Sequence, residues 1–102
     1  MALKAAFVFV APEVDSEVHR QTVITPHVEL TAVAVNDYAQ AVEVCQGLVA
    51  EGIVAIELCG GFGHVGAARI AEAVGDKAAV GVVRFDNHPG LDFKSGDALF
   101  GG

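Results

Sequence analysis

The chain has 102 residues, of which 53% are hydrophobic, and thirteen aspartates and glutamates outnumber six lysines and arginines to give a net charge of −7. Its length fits one domain over residues 1–102, and the acidic balance argues against nucleic acid and anionic membranes as partners, since both bind basic surfaces. The mean hydropathy of +0.50 is high for a small soluble monomer, so we expect a homo-oligomer.

The first quarter of the chain predicts a strand followed by a helix. The continuous apolar run Ala5–Val10 is typical of a strand that is buried on both faces. Three apolar residues at near-helical spacing predict a weaker amphipathic helix over residues 13–25, which Pro26 ends. A second strand is predicted at Val28–Val35 because that run is rich in β-branched residues.

The middle of the chain predicts a helix, a strand and a further helix. Asn36 and Asp37 are suitable N-cap residues for a helix over residues 38–51, and Gly52 suits the position after its end. The third strand is predicted at residues 53–58. A glycine-rich turn follows, and the third helix is predicted over residues 64–74.

The end of the chain predicts a fourth strand at residues 79–85 and a mobile or partner-docked tail at residues 87–102, with one short element at Asp97–Phe100. The resulting order is β-α-β-α-β-α-β. Helices between apolar strands imply right-handed parallel crossovers. We therefore predict an α/β fold with a four-stranded, mainly parallel sheet and helices on the sheet faces.

The localisation expected from the sequence is cytoplasmic. The apolar stretch Ala5–Pro12 is far shorter than the roughly 20 residues of a membrane span, and Lys4 alone is a poor signal-peptide n-region. Cys45 and Cys59 form neither a secreted disulfide framework nor a CxxC metal pair, so free thiols are expected.

The glycine-rich turn is the most concentrated functional signal. Residues 61–66 read G-F-G-H-V-G and match G-x-G-x-x-G after a predicted strand, with Asp86 twenty residues beyond Gly66. A dinucleotide site would need two mononucleotide halves around the first strand, and the chain is too short to supply them in that order. A pocket for a small anion on the loop amides is a second interpretation. The third is a tight turn that needs glycine for its backbone conformation.

Chemically capable side chains gather at the predicted carboxyl ends of the third and fourth strands. Cys59 is a candidate nucleophile with His64 as its base, although a cysteine at a strand end is often a small buried hydrophobe. Glu57, inside an apolar strand, is either a general base or a buried partner of Arg84. The predicted catalytic residues are therefore Cys59, His64 and Glu57.

The fourth strand end adds a second cluster. Strand alternation would place Arg84, Asp86 and His88 on one side and Phe85 on the other, with Arg84 as a clamp for carboxylate or phosphate. Asp86 and His88 could also ligate a divalent metal together with nearby side chains, or Asp86 could simply pair with Arg84. The predicted ligand-binding residues are Gly60, Gly61, Phe62, Gly63, Arg84, Asp86 and His88; no metal site and no cofactor is assigned.

Three blocks carry a resemblance that covers nearly the whole chain: K-A-A-F-V-F-V-A-P near the start, A-I-E-L-C-G-G-F-G-H-V-G-A-A-R in the centre and V-G-V-V-R-F-D towards the end. They resemble a family of stand-alone bacterial α/β proteins of about this length, catalogued as a domain of unknown function. The resemblance implies that the glycine block is the family's own signature rather than a dinucleotide fingerprint. The predicted function is the binding of a small molecule at an anion-friendly pocket. Three hypotheses stay open: an enzyme that acts on a small carbonyl or carboxylate metabolite, a non-catalytic sensor, and a structural subunit of an oligomer.

Overall fold

A computed structural model describes residues 2–101 and contains a mixed α/β fold. In chain order the elements are β1 (Leu3–Val10), β2 (Arg20–Ile24), β3 (Val28–Val35), α1 (Tyr38–Ala50), β4 (Ala55–Leu58), α2 (His64–Val74), β5 (Ala79–Val82) and α3 (Gly96–Phe100), with a 3₁₀ turn at Pro89–Leu91 before α3. The sheet has five strands in the order β2-β3-β1-β4-β5. All neighbouring pairs are parallel except β2 with β3.

The antiparallel strand β2 corrects two predictions, the helix over residues 13–25 and the four-stranded sheet. Residues 20–24 pair with β3 through a hairpin, in which the Thr25 backbone N–H donates to the Val28 carbonyl at 2.9 Å. The run Gln-Thr-Val-Ile-Thr is rich in β-branched residues, which favour a strand. Pairing with β3 therefore outweighs the loose helical spacing of the apolar residues.

The other predicted elements are confirmed, with small shifts at their ends. β3 and α2 have the predicted bounds, whereas the strand predicted to reach residue 85 ends at Val82. Asp37 caps α1 as expected, since its side chain accepts from the Gln40 backbone N–H at 2.8 Å. Gly52, after the helix, has the positive φ that glycine tolerates.

The described helices lie on one face of the sheet, so the predicted helices on the sheet faces are found on one face only. The crossovers from β3 to β4 and from β4 to β5 run in the same direction across the sheet. α1 and α2 pack side by side, as expected for two right-handed crossovers that run in one direction. Alternate strand residues such as Val8, Val33 and Leu58 join the helices in the core, and their neighbours face away from it.

Candidate functional site

The candidate site lies at the carboxyl edge of the parallel strands, where the loop of residues 59–63 joins β4 to α2. Open parallel sheets bind ligands at this edge. Two further segments reach the same edge, namely the loop after β5 and the short helix α3. The site is therefore built from three segments that are distant in sequence.

The N-terminal amides of α2 hold a carboxylate from the chain itself. Asp97, in α3, accepts hydrogen bonds from the backbone N–H of Val65 (Oδ2, 3.0 Å) and of Gly66 (Oδ1, 3.1 Å). The Tyr38 hydroxyl donates to Asp97 Oδ1 at 2.9 Å and accepts from the Gly63 backbone N–H at 2.9 Å. The amides that the sequence offers to an anion therefore bind an internal one, as expected where a helix dipole favours negative charge.

These contacts shift the pKa values of both side chains. Burial raises the pKa of Tyr38 to about 12, and its bond to Asp97 adds to the shift while the Gly63 N–H opposes it. For Asp97, desolvation raises the pKa, but the hydrogen bonds from the Val65 and Gly66 amides and from Tyr38 outweigh it and hold the pKa below its ordinary value. The pair thus consists of a protonated phenol and an ionised carboxylate over the neutral pH range.

Alkaline titration tests this arrangement, because Tyr38 is the single tyrosine and the chain has no tryptophan. We expect tyrosinate absorbance to appear near pH 12 in the native protein and near pH 10 in denaturant. A pKa raised by folding stabilises the protein fully below about pH 10, and this stabilisation is lost as the pH rises from about 10 to 12.

Asp97→Asn is the control variant for that titration, because it removes the carboxylate that raises the Tyr38 pKa and should move the native titration towards lower pH. A native titration at the denatured value in the unmodified protein would contradict the contact between Tyr38 and Asp97.

The glycines of the loop make room for the same internal contacts. A Cβ on Gly63 would overlap the Asp97 carboxyl group, and one on Gly96 would overlap the carbonyl oxygen of Gly61. A Cβ on Gly60 would overlap the ring of Phe85. The glycines therefore allow α3 and the loop after β5 to pack closely against residues 60–63, at the start of α2.

Arg84 and His64 lie side by side on the outside of this edge. Arg84 Nη1 is 2.7 Å from His64 Nδ1, and Arg84 Nε and Nη2 both donate to Asp86 Oδ1, at 3.0 and 2.6 Å. The Arg84 side chain is 35% exposed and that of Asp86 is 74% exposed. The structure thus brings together three of the predicted site residues.

The remaining residues of the loop after β5 are arranged differently from the prediction. Since the strand ends at Val82, alternation does not continue, and the rings of Phe85 and His88 stand together with their centroids 4.6 Å apart. His88 Nδ1 accepts from the Gly90 backbone N–H at 2.9 Å. His88 is therefore part of a local turn that starts the 3₁₀ helix.

Of the predicted catalytic residues, Glu57 lies apart from the others. It is exposed, and it follows the alternation of β4 onto the sheet face opposite the described helices, so its predicted burial beside Arg84 is wrong. Cys59 is half-buried, and its Sγ accepts from the Gly61 backbone N–H at 3.2 Å. Phe62 is buried in the core against Tyr38.

Two side chains that organise the site were not among the predicted site residues. Tyr38 appears in the sequence only as an apolar position of α1, and Asp97 only as part of a short element near the end. The available signal was the acidic Asp97 shortly after Ser95, a pattern typical of a helix start. Ser95 is indeed the N-cap of α3, and Asp97 lies in its first turn. That signal predicts a helix start but not a contact with α2.

Within residues 2–101, no three His, Cys, Asp or Glu side chains are grouped closely enough to hold a metal ion. In the same part of the chain, no helix has the length and apolar character needed to cross a membrane.

Residues 3–98 match the family described as "Family of unknown function (DUF6506)", and the chain belongs to that family. Searches among curated proteins and among solved structures found no match.

Proposed function

We propose that this protein binds a small carboxylate or phosphate anion at Arg84 and His64, and that it does so as a binding module in the cytoplasm rather than as an enzyme. The contact of 2.7 Å between Arg84 Nη1 and His64 Nδ1 is the observation that supports this most directly. A guanidinium group only donates, so His64 Nδ1 accepts and the imidazole proton is on Nε2. The Arg84 guanidinium is thus held beside the positive end of α2, and both attract negative charge.

The counter-ion of Arg84 is weakly held, which favours exchange for a ligand. The Asp86 side chain is 74% exposed, and exposed ion pairs contribute only about 0–1 kcal/mol. Arginine is well suited to the incoming group because its planar fork of donors matches carboxylate and phosphate oxygens. An anion of either class can therefore replace Asp86 at little cost.

The same geometry favours binding over catalysis. The Gly61 N–H, which would stabilise an oxyanion, donates to Cys59 Sγ, while the amides of Val65 and Gly66 are occupied by Asp97. His64 Nδ1, one of the two ring nitrogens through which it could act as a base, is occupied by Arg84. The donors that remain available suit recognition of charge.

Titration with inorganic phosphate and with a small 2-keto acid, at constant ionic strength, tests the proposal. We expect amide chemical-shift changes at His64 and Arg84 and a rise in Tm, because a ligand that binds only the folded state stabilises it. Arg84→Gln should weaken binding at least about tenfold, which is the loss expected for a hydrogen bond to a charged group.

Lys77→Gln is the matched control, since it removes the same charge at the opposite edge of the sheet, before β5. Its affinity should equal that of the unmodified protein. Cys59→Ser should also bind normally, and loss of binding in that variant would favour the catalytic interpretation. Equal weak binding by all variants, or no response to either anion, would overturn the proposal.

A further inference from the structure

The sheet face opposite the helices is apolar, and no helix within residues 2–101 lies over it. In every strand, the residues between the core positions point to this face, and Glu57 is the single charged residue among them. Phe7 and Phe9 of the central strand stack there with ring centroids 6.4 Å apart. A face with so little charge, in a chain of net charge −7, has the composition of an interface core rather than of a solvated surface.

We infer that this face is the contact surface between two copies of the chain, which pack sheet against sheet about a two-fold axis. The four strands β2, β3, β1 and β4 of one copy would lie over the same four strands of the other. They hold 25 residues, and at about 3.3 Å per residue and about 4.8 Å between strands they offer roughly 400 Å² per copy. Two copies would bury roughly 800 Å² of strand surface, which is the size of a small, readily reversible interface.

The register of the sheet makes the face complementary to itself. Gln21, Ala32, Phe7 and Glu57 lie in one row across β2, β3, β1 and β4. An axis parallel to the strands between β1 and β3 places each strand of that row opposite its counterpart in the second copy. Phe7 then lies over Ala32 of the partner copy, a large side chain over a small one.

The axis that pairs Phe7 with Ala32 also matches β4 of one copy with β2 of the other. Glu57 then meets Gln21 of the partner copy, whose amide can donate to the carboxylate, and Ala55 meets Val23 of the partner copy. Glu57 and Gln21 are both exposed in the single chain, so both are available for this contact. The contact gives the one charged group on the face a hydrogen-bond partner in the dimer.

A second copy fits better than a nucleic acid or a lipid surface, because the face carries no lysine or arginine among its strand residues. It also accounts for the high mean hydropathy of a short chain. The interface is isologous, as expected for a closed dimer, because the same patch serves both subunits.

Sedimentation equilibrium over a range of protein concentrations tests the dimer. We expect the mass to rise with concentration towards twice that of the 10.5 kDa chain. Ala32→Asp should raise the dimer Kd at least about a hundredfold, because it places a carboxylate against Phe7 of the partner copy. Circular dichroism confirms that the variant is folded, as the Ala32 side chain lies on the open face.

A charge exchange distinguishes this register from any other dimer. Gln21→Glu sets two carboxylates opposite each other and should raise the Kd about tenfold, and adding Glu57→Gln to it should restore the original value. A monomer at all concentrations, a dimer unaffected by Ala32→Asp, or a Gln21→Glu variant that Glu57→Gln fails to rescue would each overturn the inference. Neither exchange touches Arg84 or His64, so phosphate binding is read separately.

Discussion

Replacing Phe62 by alanine is expected to lower the free energy of unfolding by about 3–5 kcal/mol. Phe62 is 1% exposed, and its ring stacks on Tyr38 with centroids 5.3 Å apart and planes inclined by 10°. The lost side chain leaves a cavity between α1 and the loop after β4. Since domains of this size are stable by only about 5–15 kcal/mol, the variant should be close to unfolding, which urea denaturation followed by circular dichroism measures.

Phe62→Leu is the control for this result, because leucine fills most of the same volume and should cost only about 1.5 kcal/mol or less. The leucine variant also separates packing from binding. If Phe62 contributes only to the core, the variant keeps its affinity for phosphate. A weakened affinity with unchanged stability would return Phe62 to the ligand-binding residues that the sequence predicted.

Most of the fold could be predicted from local patterns. β3 stands out by its β-branched run, and α1 by the Asp37 cap together with Gly52 after its end. These signals are local, since each depends on residues within one turn or one strand.

The part that could not be predicted depends on pairing between segments. The segment before β3 has three apolar residues near helical spacing, but its partner β3 holds it as a strand. The number of covered sheet faces likewise follows from strand order, because two crossovers in one direction leave one face without helices. An apolar run such as Ala5–Val10 reads the same whether its second face is covered by a helix or by another subunit.

The candidate site could likewise be predicted only where it depends on local patterns. The glycine-rich loop, Arg84 and Asp86 were predicted to lie at one edge, and the structure places them there. Asp97 reaches that edge from 31 residues beyond Gly66, and no local pattern connects the two. The Asp97 carboxylate binds the N-terminal amides of α2. The glycines are therefore explained first by the close packing of the chain's own side chains, and not by a ligand.

Gly66→Ala and Gly47→Ala are expected to change stability in opposite directions, although both replace a helical glycine. Alanine gains about 0.5–1 kcal/mol over glycine inside a helix, and a Cβ on Gly47 would meet nothing within 4 Å. Gly47→Ala should therefore stabilise the protein by about that amount. A Cβ on Gly66 would instead overlap the ring of Tyr38, so Gly66→Ala should destabilise it by about 1–3 kcal/mol.

The sign of the Gly66→Ala effect depends on whether Tyr38 can move. Its ring is fully buried, stacks on Phe62 on one side and is held at its hydroxyl by Asp97 and the Gly63 amide. A ring with three such constraints cannot retreat without breaking the contact that caps α2. Thermal unfolding of the two variants measures the difference, and a lowered Tyr38 pKa in Gly66→Ala would identify the ring as the group displaced. Equal stabilisation by both substitutions would show that α2 stands away from Tyr38, and would contradict the close approach that glycine permits at the start of this helix.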